Sequence, residues 1–144
     1  MKIENLFYFT KYPRKILRKS VLCCYIKYST TSENDLFYTL NKQLDFSVFG
    51  WNWNALHDAL SDFEGIKKKN IVIVHEKLNL QEKILYEYIL CLISATLLWK
   101  KYSHLHRFFP VFSYLDKTII LEMLYCEEMQ RRFIFECKRF NFIL

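Results

Sequence analysis

Residues 71–76 read IVIVHE, and this stretch decides the fold. Its first four residues are apolar and β-branched, with no polar residue between them. Such a run is typical of a strand that is buried on both faces, as in a parallel sheet. Residues 21–28, VLCCYIKY, have a similar character. Two adjacent parallel strands need a crossover connection, so we expect helices between the two runs.

The first helix of that crossover is predicted over residues 33–44. Ser32 suits its N-cap, and Asp35 follows three residues later in an arrangement that resembles a capping box. The apolar positions recur every four residues, at Leu36, Leu40 and Leu44. This spacing places them on one helical face.

The second helix lies in residues 49–65, FGWNWNALHDALSDFEG, which contain the only two glycines of the chain, Gly50 and Gly65. We expect Gly50 to allow a sharp turn, Asn52 to cap the first helical turn, and Gly65 to end the helix in the left-handed conformation. The face predicted to be buried comprises Leu56, Ala59, Leu60 and Phe63. The opposite face comprises Asn54, His57, Asp58, Ser61 and Asp62.

After the second strand, a long third helix is indicated by an apolar stripe. The stripe comprises Ile84, Tyr88, Cys91, Ala95 and Trp99. The remainder of the chain has more than one interpretation. The third strand is predicted at either 108–114 or 118–121, and Pro110 would confine the former to an edge position. A helix over 117–132 is equally compatible with the sequence, followed by an alternating run around Phe133.

The composition is globular, with 144 residues, of which 52% are apolar and 25% charged. We expect a single domain over residues 1–144. The apolar run at 6–9 lacks a cleavage site after it, so the mature chain is expected to start at Met1. The run at 89–99 is shorter than the roughly 18 to 20 residues that a bilayer demands, so no membrane association is expected.

Five cysteines, an odd number, include the adjacent pair Cys23 and Cys24. Reduced thiols in a cytoplasmic protein fit this pattern best. His104 and His106 could contribute two metal ligands, but no cysteine stands at a matching spacing, so we expect no metal and no cofactor. No phosphate loop, nucleophile elbow or HExxH motif occurs, and we expect no enzymatic activity.

The positive net charge is unevenly distributed. Residues 1–30 carry +6, residues 31–66 carry −5 and residues 67–144 carry +5. The segment 49–65 therefore belongs to the one acidic part of a basic chain, which favours a cationic partner. The basic stretch 11–19 could bind RNA, although a solubilising extension is the commoner role of such a stretch.

The pattern from Phe49 to Leu60, aromatic-Gly-x-Asn-x-Asn-Ala-Leu-x-Asp-x-Leu, resembles the second helix of barstar, the intracellular inhibitor of the ribonuclease barnase. The resemblance covers residues 44–76 most closely and extends over about 21–122, which leaves an extension at each end. It implies an α/β fold with a short, about three-stranded parallel sheet flanked by helices. Two positions depart from the family: Phe46 replaces the usual proline, and Asn54 replaces the first of two inhibitory aspartates. Asp58 matches the second.

In the barstar family, the helix and the loop before it plug the ribonuclease active site, where carboxylates take the places of substrate phosphates. The resemblance therefore implies an immunity protein that binds a cognate ribonuclease toxin as a 1:1 heterodimer. The partner-binding residues that it implies are Val48, Gly50, Trp51, Asn52, Trp53, Asn54, His57, Asp58 and Asp62. Because Asn54 brings no charge, the anchoring role could shift to Asp62 or Glu64.

From the residues alone, a solvated helix face is the simpler interpretation of Asp58 and Asp62. The alternative function is a basic RNA-binding module, in which the N-terminal stretch and exposed aromatic residues contact nucleic acid. Because the acidic segment 49–65 favours a cationic partner, direct nucleic-acid binding remains the weaker expectation.

Overall fold

A computed structural model describes residues 1–16 and 21–144. Its centre is a four-stranded sheet in the order β1-β4-β3-β2, in which every neighbouring pair is parallel. The strands are β1 Tyr8–Thr10, β2 Val21–Ile26, β3 Asn70–His75 and β4 Arg107–Ser113. The basic stretch 11–19 is described only as far as Ile16, and the rest of it lies outside the described residues.

Within residues 1–16 and 21–144, five α-helices accompany the sheet. They are α1 Glu33–Leu44, α2 Trp53–Leu60, α3 Glu82–Lys101, α4 Lys117–Leu124 and α5 Glu127–Arg139. Short 3-10 helices occupy Ile3–Leu6, Pro13–Lys15 and Tyr114–Asp116. No helix in the described ranges combines the length and the apolar character that crossing a membrane requires.

The two apolar runs form the adjacent parallel strands that their composition predicts. β2 pairs with β3 from Val21 opposite Asn70 to Ile26 opposite His75. The crossover between them contains α1 and α2, as expected. The predicted α/β fold class is thus confirmed, with four strands instead of about three, because the three residues of β1 add a strand beside β4.

The prediction that Pro110 confines its strand to an edge is wrong, because β4 lies between β3 and β1. Pro110 pairs with Ile73 on one side. On the other side β1 pairs only with the three residues from Val111 to Ser113. At Pro110 itself, β4 therefore has one paired side, which is where a residue without an amide hydrogen is tolerated.

Helix α1 has the predicted bounds, and the Ser32 side-chain oxygen accepts a hydrogen bond from the Asp35 amide at 3.1 Å. In α3 the predicted stripe is buried except for Ile84, which is half-buried. The alternative strand at 118–121 is wrong, since these residues lie in α4. The alternating run around Phe133 is also helical, in α5, where Phe133 and Cys137 are buried at a spacing of one turn.

The outer edge of β2 is covered by a side chain of α1. The Gln43 side-chain oxygen accepts the Tyr25 amide hydrogen at 2.6 Å, and its nitrogen donates to the Tyr25 carbonyl oxygen at 3.1 Å. A side-chain amide thus makes both hydrogen bonds that a neighbouring strand would make at this position. An unpaired edge invites association with other chains, so Gln43 protects the sheet.

A buried histidine joins β3 to β4 and α3. The His75 ring stacks on Phe112 with centroids 4.2 Å apart, Nδ1 lies 2.7 Å from the Val111 carbonyl oxygen, and Nε2 lies 2.7 Å from the Tyr88 hydroxyl. Because a carbonyl oxygen only accepts, the neutral ring donates from Nδ1 and accepts the Tyr88 hydroxyl proton at Nε2. Burial lowers the pKa of His75 to about 4.

Candidate functional site

The loop 45–52 and helix α2 form a surface that we call the α2 face. The loop begins where α1 ends, at Asp45, whose φ of 53° is left-handed. It is held to the domain by Phe49, whose ring packs against Phe37, Phe46 and Trp51 with centroid distances of 5.5, 5.6 and 5.5 Å. These contacts fix the path of the loop.

The two tryptophans of the α2 face differ in their exposure. The ring of Trp53 packs edge-to-face on Phe37 at a centroid distance of 4.9 Å and is half-buried. Trp51 is 47% exposed, and its φ of 56° is left-handed. Trp53 therefore holds α2 on α1, whereas Trp51 is presented to solvent beside the start of α2.

Asn52 caps α2, as predicted. Its Oδ1 accepts the Ala55 amide hydrogen at 2.7 Å, and its Nδ2 donates to the Gly50 carbonyl oxygen at 3.2 Å. The left-handed residue of the turn is Trp51, and Gly50 itself has no positive φ. A Cβ atom on Gly50 would lie 3.3 Å from the Ala55 Cβ, so the glycine permits close packing of the loop on α2.

The end of α2 also differs from the prediction. The helix ends at Leu60, and the following Ser61 donates its hydroxyl hydrogen to the His57 carbonyl oxygen at 2.7 Å. Asp62 then accepts the Glu64 amide hydrogen at 3.0 Å, which turns the chain away from the helix axis. Gly65 is left-handed, with φ 83°, but it lies in this later turn and does not end the helix.

The predicted buried face is confirmed, since Leu56, Ala59, Leu60 and Phe63 are all buried. On the opposite face, Asn54 and Asp58 are exposed one helical turn apart. Ser61 and Asp62 are exposed beyond the end of the helix.

His57 was predicted to share this exposed face, and that prediction is wrong, since the side chain is half-buried. Burial lowers the pKa of His57, and the positive charge of Arg132 on α5 lowers it further, against the opposing effects of Glu136, Glu87 and Asp58. His57 thus stands at the boundary between α2 and the helices α3 and α5.

Four acidic residues between positions 45 and 64 are available for a partner. Asp45, Asp58, Asp62 and Glu64 are exposed, and none of them forms an ion pair within residues 1–16 and 21–144. Carboxylates of this kind form charge-assisted hydrogen bonds with Arg, Lys or protonated His. The α2 face can therefore receive a cationic surface without first breaking internal ion pairs.

The residues predicted to bind a partner fall into two groups. Val48, 87% exposed, joins Trp51, Asn54, Asp58 and Asp62 on the solvent side. Gly50, Asn52, Trp53 and His57 instead shape or support that surface. Phe49 was not singled out in the sequence, although it organises the loop. The sequence does show a series of aromatic residues at 46, 49, 51 and 53. Only the contacts in the folded protein reveal which of these side chains anchors the loop and which is exposed to solvent.

The histidines and cysteines considered as metal ligands or nucleophiles have other roles in the described part of the chain. His106 does not pair with His104 at a metal site. Its Nδ1 lies 3.0 Å from the Lys68 carbonyl oxygen, and its ring packs on Trp99. Among the described residues, no three His, Cys, Asp or Glu side chains are grouped to hold an ion. Burial raises the pKa values of the thiols of Cys24 and Cys91, which keeps both protonated.

In a comparison with known protein families, residues 23–110 match the family model described as Barstar (barnase inhibitor). Neither the curated proteins nor the solved structures contain a match to the chain. The matched region runs from β2 into β4 and includes the whole α2 face, whereas β1, α4 and α5 lie outside it. The matched residues form more than half of the chain, and the chain therefore belongs to the barstar family of barnase inhibitors.

Proposed function

We propose that this chain is an immunity protein that binds the active site of a cognate cytotoxic ribonuclease and blocks it as a 1:1 complex. It would act in the cytoplasm and without catalysis of its own. The observation that carries the proposal is Asp58, an exposed carboxylate that has no ion-pair partner among the described residues, on a helix whose other face is buried. Family membership supports the same conclusion.

The chemistry of a ribonuclease active site explains why such a carboxylate suits it. A nuclease gathers cationic side chains to hold substrate phosphates, and an inserted carboxylate pairs with those side chains. Asp58 lies on a helix whose buried face is packed on the domain, so little backbone freedom is lost on binding. Trp51 and Val48, on the loop before this helix, add exposed apolar area to the α2 face, and exposed aromatic residues are frequent anchors of interfaces.

Asn54 makes the interface less acidic than that of a family member with aspartate at this position. An asparagine still donates and accepts hydrogen bonds but contributes no charge. We infer that the cognate ribonuclease is adapted to asparagine here, with a donor or acceptor in place of one cation. Barnase itself is a suitable probe of this departure, because its site is the one that the family is known to block.

The first experiment is co-expression of this chain with a cytotoxic ribonuclease from the same genome, with survival of the cells as the readout. Wild-type chain is expected to restore growth, and Asp58→Ala, expressed at the same level, is expected to restore it poorly. Growth arrest despite abundant wild-type chain would contradict the proposal for that nuclease.

A second experiment measures the inhibition of purified barnase by wild-type chain and by Asn54→Asp. The added carboxylate is expected to lower the inhibition constant for barnase, because it faces a site built for phosphate. Asn54→Gln retains the amide and is the matched control, for which no gain is expected. Equal or weaker inhibition by Asn54→Asp would indicate that residue 54 does not face the active site.

A further inference from the structure

A second charged surface lies at the carboxyl ends of the sheet, away from the residues of the α2 face. Parallel strands all end at the same edge, and each strand here is followed within four residues by a lysine. These lysines are Lys11 after β1, Lys27 after β2, Lys77 after β3 and Lys117 after β4. Arg14 and Lys15, in the 3-10 helix Pro13–Lys15, add two further cations. We call this surface the strand-end surface.

Exposed tyrosines alternate with these cations. Tyr12, Tyr28 and Tyr114 are 62%, 47% and 51% exposed. Each has a lysine ammonium over its ring: Lys15 lies 5.0 Å from the centroid of Tyr12, Lys77 lies 5.8 Å from that of Tyr28, and Lys11 and Lys117 lie 5.7 and 5.5 Å from that of Tyr114. Each ring therefore lies beside a positive charge while much of its area remains in contact with water.

The two carboxylates nearest to this surface are already engaged. Glu76 accepts hydrogen bonds from Tyr25 at 2.9 Å and from Arg14 at 3.2 Å, and these bonds hold its pKa below the ordinary value. Asp116 is buried and accepts the Leu78 amide hydrogen at 2.8 Å. Lys27 acts on Glu76, and Lys77 acts on Asp116, through their charges. Six cations nevertheless stand against these two carboxylates, so the strand-end surface stays cationic.

The shape of the surface suits an extended ligand. Between the ends of β2 and β3 lies an open cleft of about 600 Å³, lined by Arg14, Tyr25, Lys27, Tyr28, Ser29 and Glu76. Four strands spaced about 4.8 Å apart give a row about 14 Å long from the β1 end to the β2 end. Tyr28 stands at one end of this row, and Tyr12 and Tyr114 stand at the other.

We propose that the strand-end surface binds single-stranded RNA. Proteins that bind single strands combine a cationic path for the phosphates with aromatic rings on which unpaired bases stack, and this surface has both. The flexible single strand can splay its bases onto separate tyrosines, which a duplex cannot do. From the sequence alone, the stretch 11–19 favours a solubilising role. In the structure, the first residues of this stretch lie together with cations and tyrosines that follow the other three strands.

The test is a fluorescence-anisotropy titration of the full chain into a labelled twelve-nucleotide uridine RNA at about 50 and about 200 mM salt. If three phosphates are contacted, affinity is expected to fall about 20-fold between the two salt concentrations. Tyr28→Ala and Tyr114→Ala leave the net charge unchanged, and each is expected to weaken binding about 5-fold or more. Thermal unfolding of each variant verifies that it is folded.

The matched control removes the same charge elsewhere. Lys27→Gln combined with Lys77→Gln is expected to weaken binding about 10-fold or more, whereas Lys67→Gln combined with Lys69→Gln, in the loop before β3, is expected to change it less than 2-fold. Equal losses in both pairs would overturn the proposal, because net charge alone would then explain binding. Unchanged affinity of both tyrosine variants would also overturn the proposal. So would binding of duplex RNA, or of single-stranded DNA of matching sequence, that is tighter than binding of the single-stranded RNA. A third contradicting result would be displacement of the labelled RNA by polyglutamate as effectively as by unlabelled RNA. The last result would indicate a surface for an acidic protein.

Discussion

The Asn52 side-chain oxygen lies 2.7 Å from the Ala55 backbone nitrogen, and this contact fixes the orientation of α2 relative to the loop before it. The same side chain donates to the carbonyl oxygen of Gly50. One residue thus joins the loop that carries Val48 and Trp51 to the helix that carries Asn54 and Asp58. The α2 face is preorganised by this connection.

Substitution of Asn52 with alanine is expected to lower the free energy of unfolding by about 1 kcal/mol, because an N-cap acceptor is lost. Asn52→Asp keeps the acceptor but not the donor, and is expected to lose less. Urea unfolding of the three proteins provides the measurement. If the alanine variant matches wild type, the cap contributes nothing to stability.

The sequence predicts those parts of the fold in which the local pattern of apolar and polar residues matches the burial of the side chains in the folded protein. The strands predicted in the runs at 21–28 and 71–76, the capped helix α1 and the apolar stripe of α2 are of this kind. The expected burial on both faces holds for β3 but not for β2, an edge strand in which only Cys24 and Ile26 are buried. The candidate residues of the α2 face follow from the same pattern, since Asn54 and Asp58 are exposed opposite a buried stripe.

The remaining features depend on contacts between residues distant in the sequence. β1 is three residues long, too short for any periodicity, and is defined only by its pairing with β4. Pro110 is tolerated in an inner strand because β1 begins with a residue that pairs with Val111, so that Pro110 itself has no partner in β1. The burial of His57 arises from the neighbouring helices α3 and α5, which the spacing within α2 does not encode.

Removal of the side chain that covers the edge of β2 is expected to destabilise the protein and promote its association. Gln43→Ala loses two hydrogen bonds to Tyr25, which is expected to cost about 1 kcal/mol of unfolding free energy. The freed edge then offers an unpaired N–H and C=O to other chains. Urea unfolding and light scattering at rising protein concentration measure the two effects.

Gln43→Glu is the matched control for this edge, because a carboxylate still accepts from the Tyr25 amide but cannot donate to its carbonyl oxygen. An intermediate stability is expected. A fully stable, monomeric Gln43→Ala would contradict the protective role of this residue.

The stability of the protein is expected to depend on pH through His75. Its folded-state pKa of about 4 lies below the ordinary value of 6.5, so the unfolded chain takes up the proton more readily. The stabilising contribution is therefore complete above pH 6.5 and is lost as the pH falls toward 4. A difference of this size corresponds to about 3 kcal/mol. Unfolding free energies measured between pH 7 and pH 4 test this dependence.

Nuclear magnetic resonance assigns the pH effect to its residue. The His75 ring signals are expected to titrate near pH 4, and the exposed His104, replaced by glutamine, is expected to leave the pH dependence of unfolding unchanged. A His75 ring that titrates near its ordinary pKa in the folded protein would contradict the assignment.

The most direct test of the central claim is a calorimetric titration of the nuclease that the chain protects against, with wild-type chain and with Asp58→Ala. Removal of a buried interfacial charge typically costs about 2 to 5 kcal/mol of binding free energy, or roughly 30-fold to several thousand-fold in affinity. Part of this general range comes from measurements on the barnase–barstar pair. Glu122→Ala, which removes an exposed carboxylate from α4, is the matched control. We predict a loss in that range for Asp58→Ala, with the free energy of unfolding changed by less than about 0.5 kcal/mol and no loss of affinity for Glu122→Ala. Equal affinities of Asp58→Ala and wild type at unchanged stability would contradict the claim that the α2 face is the inhibitory site.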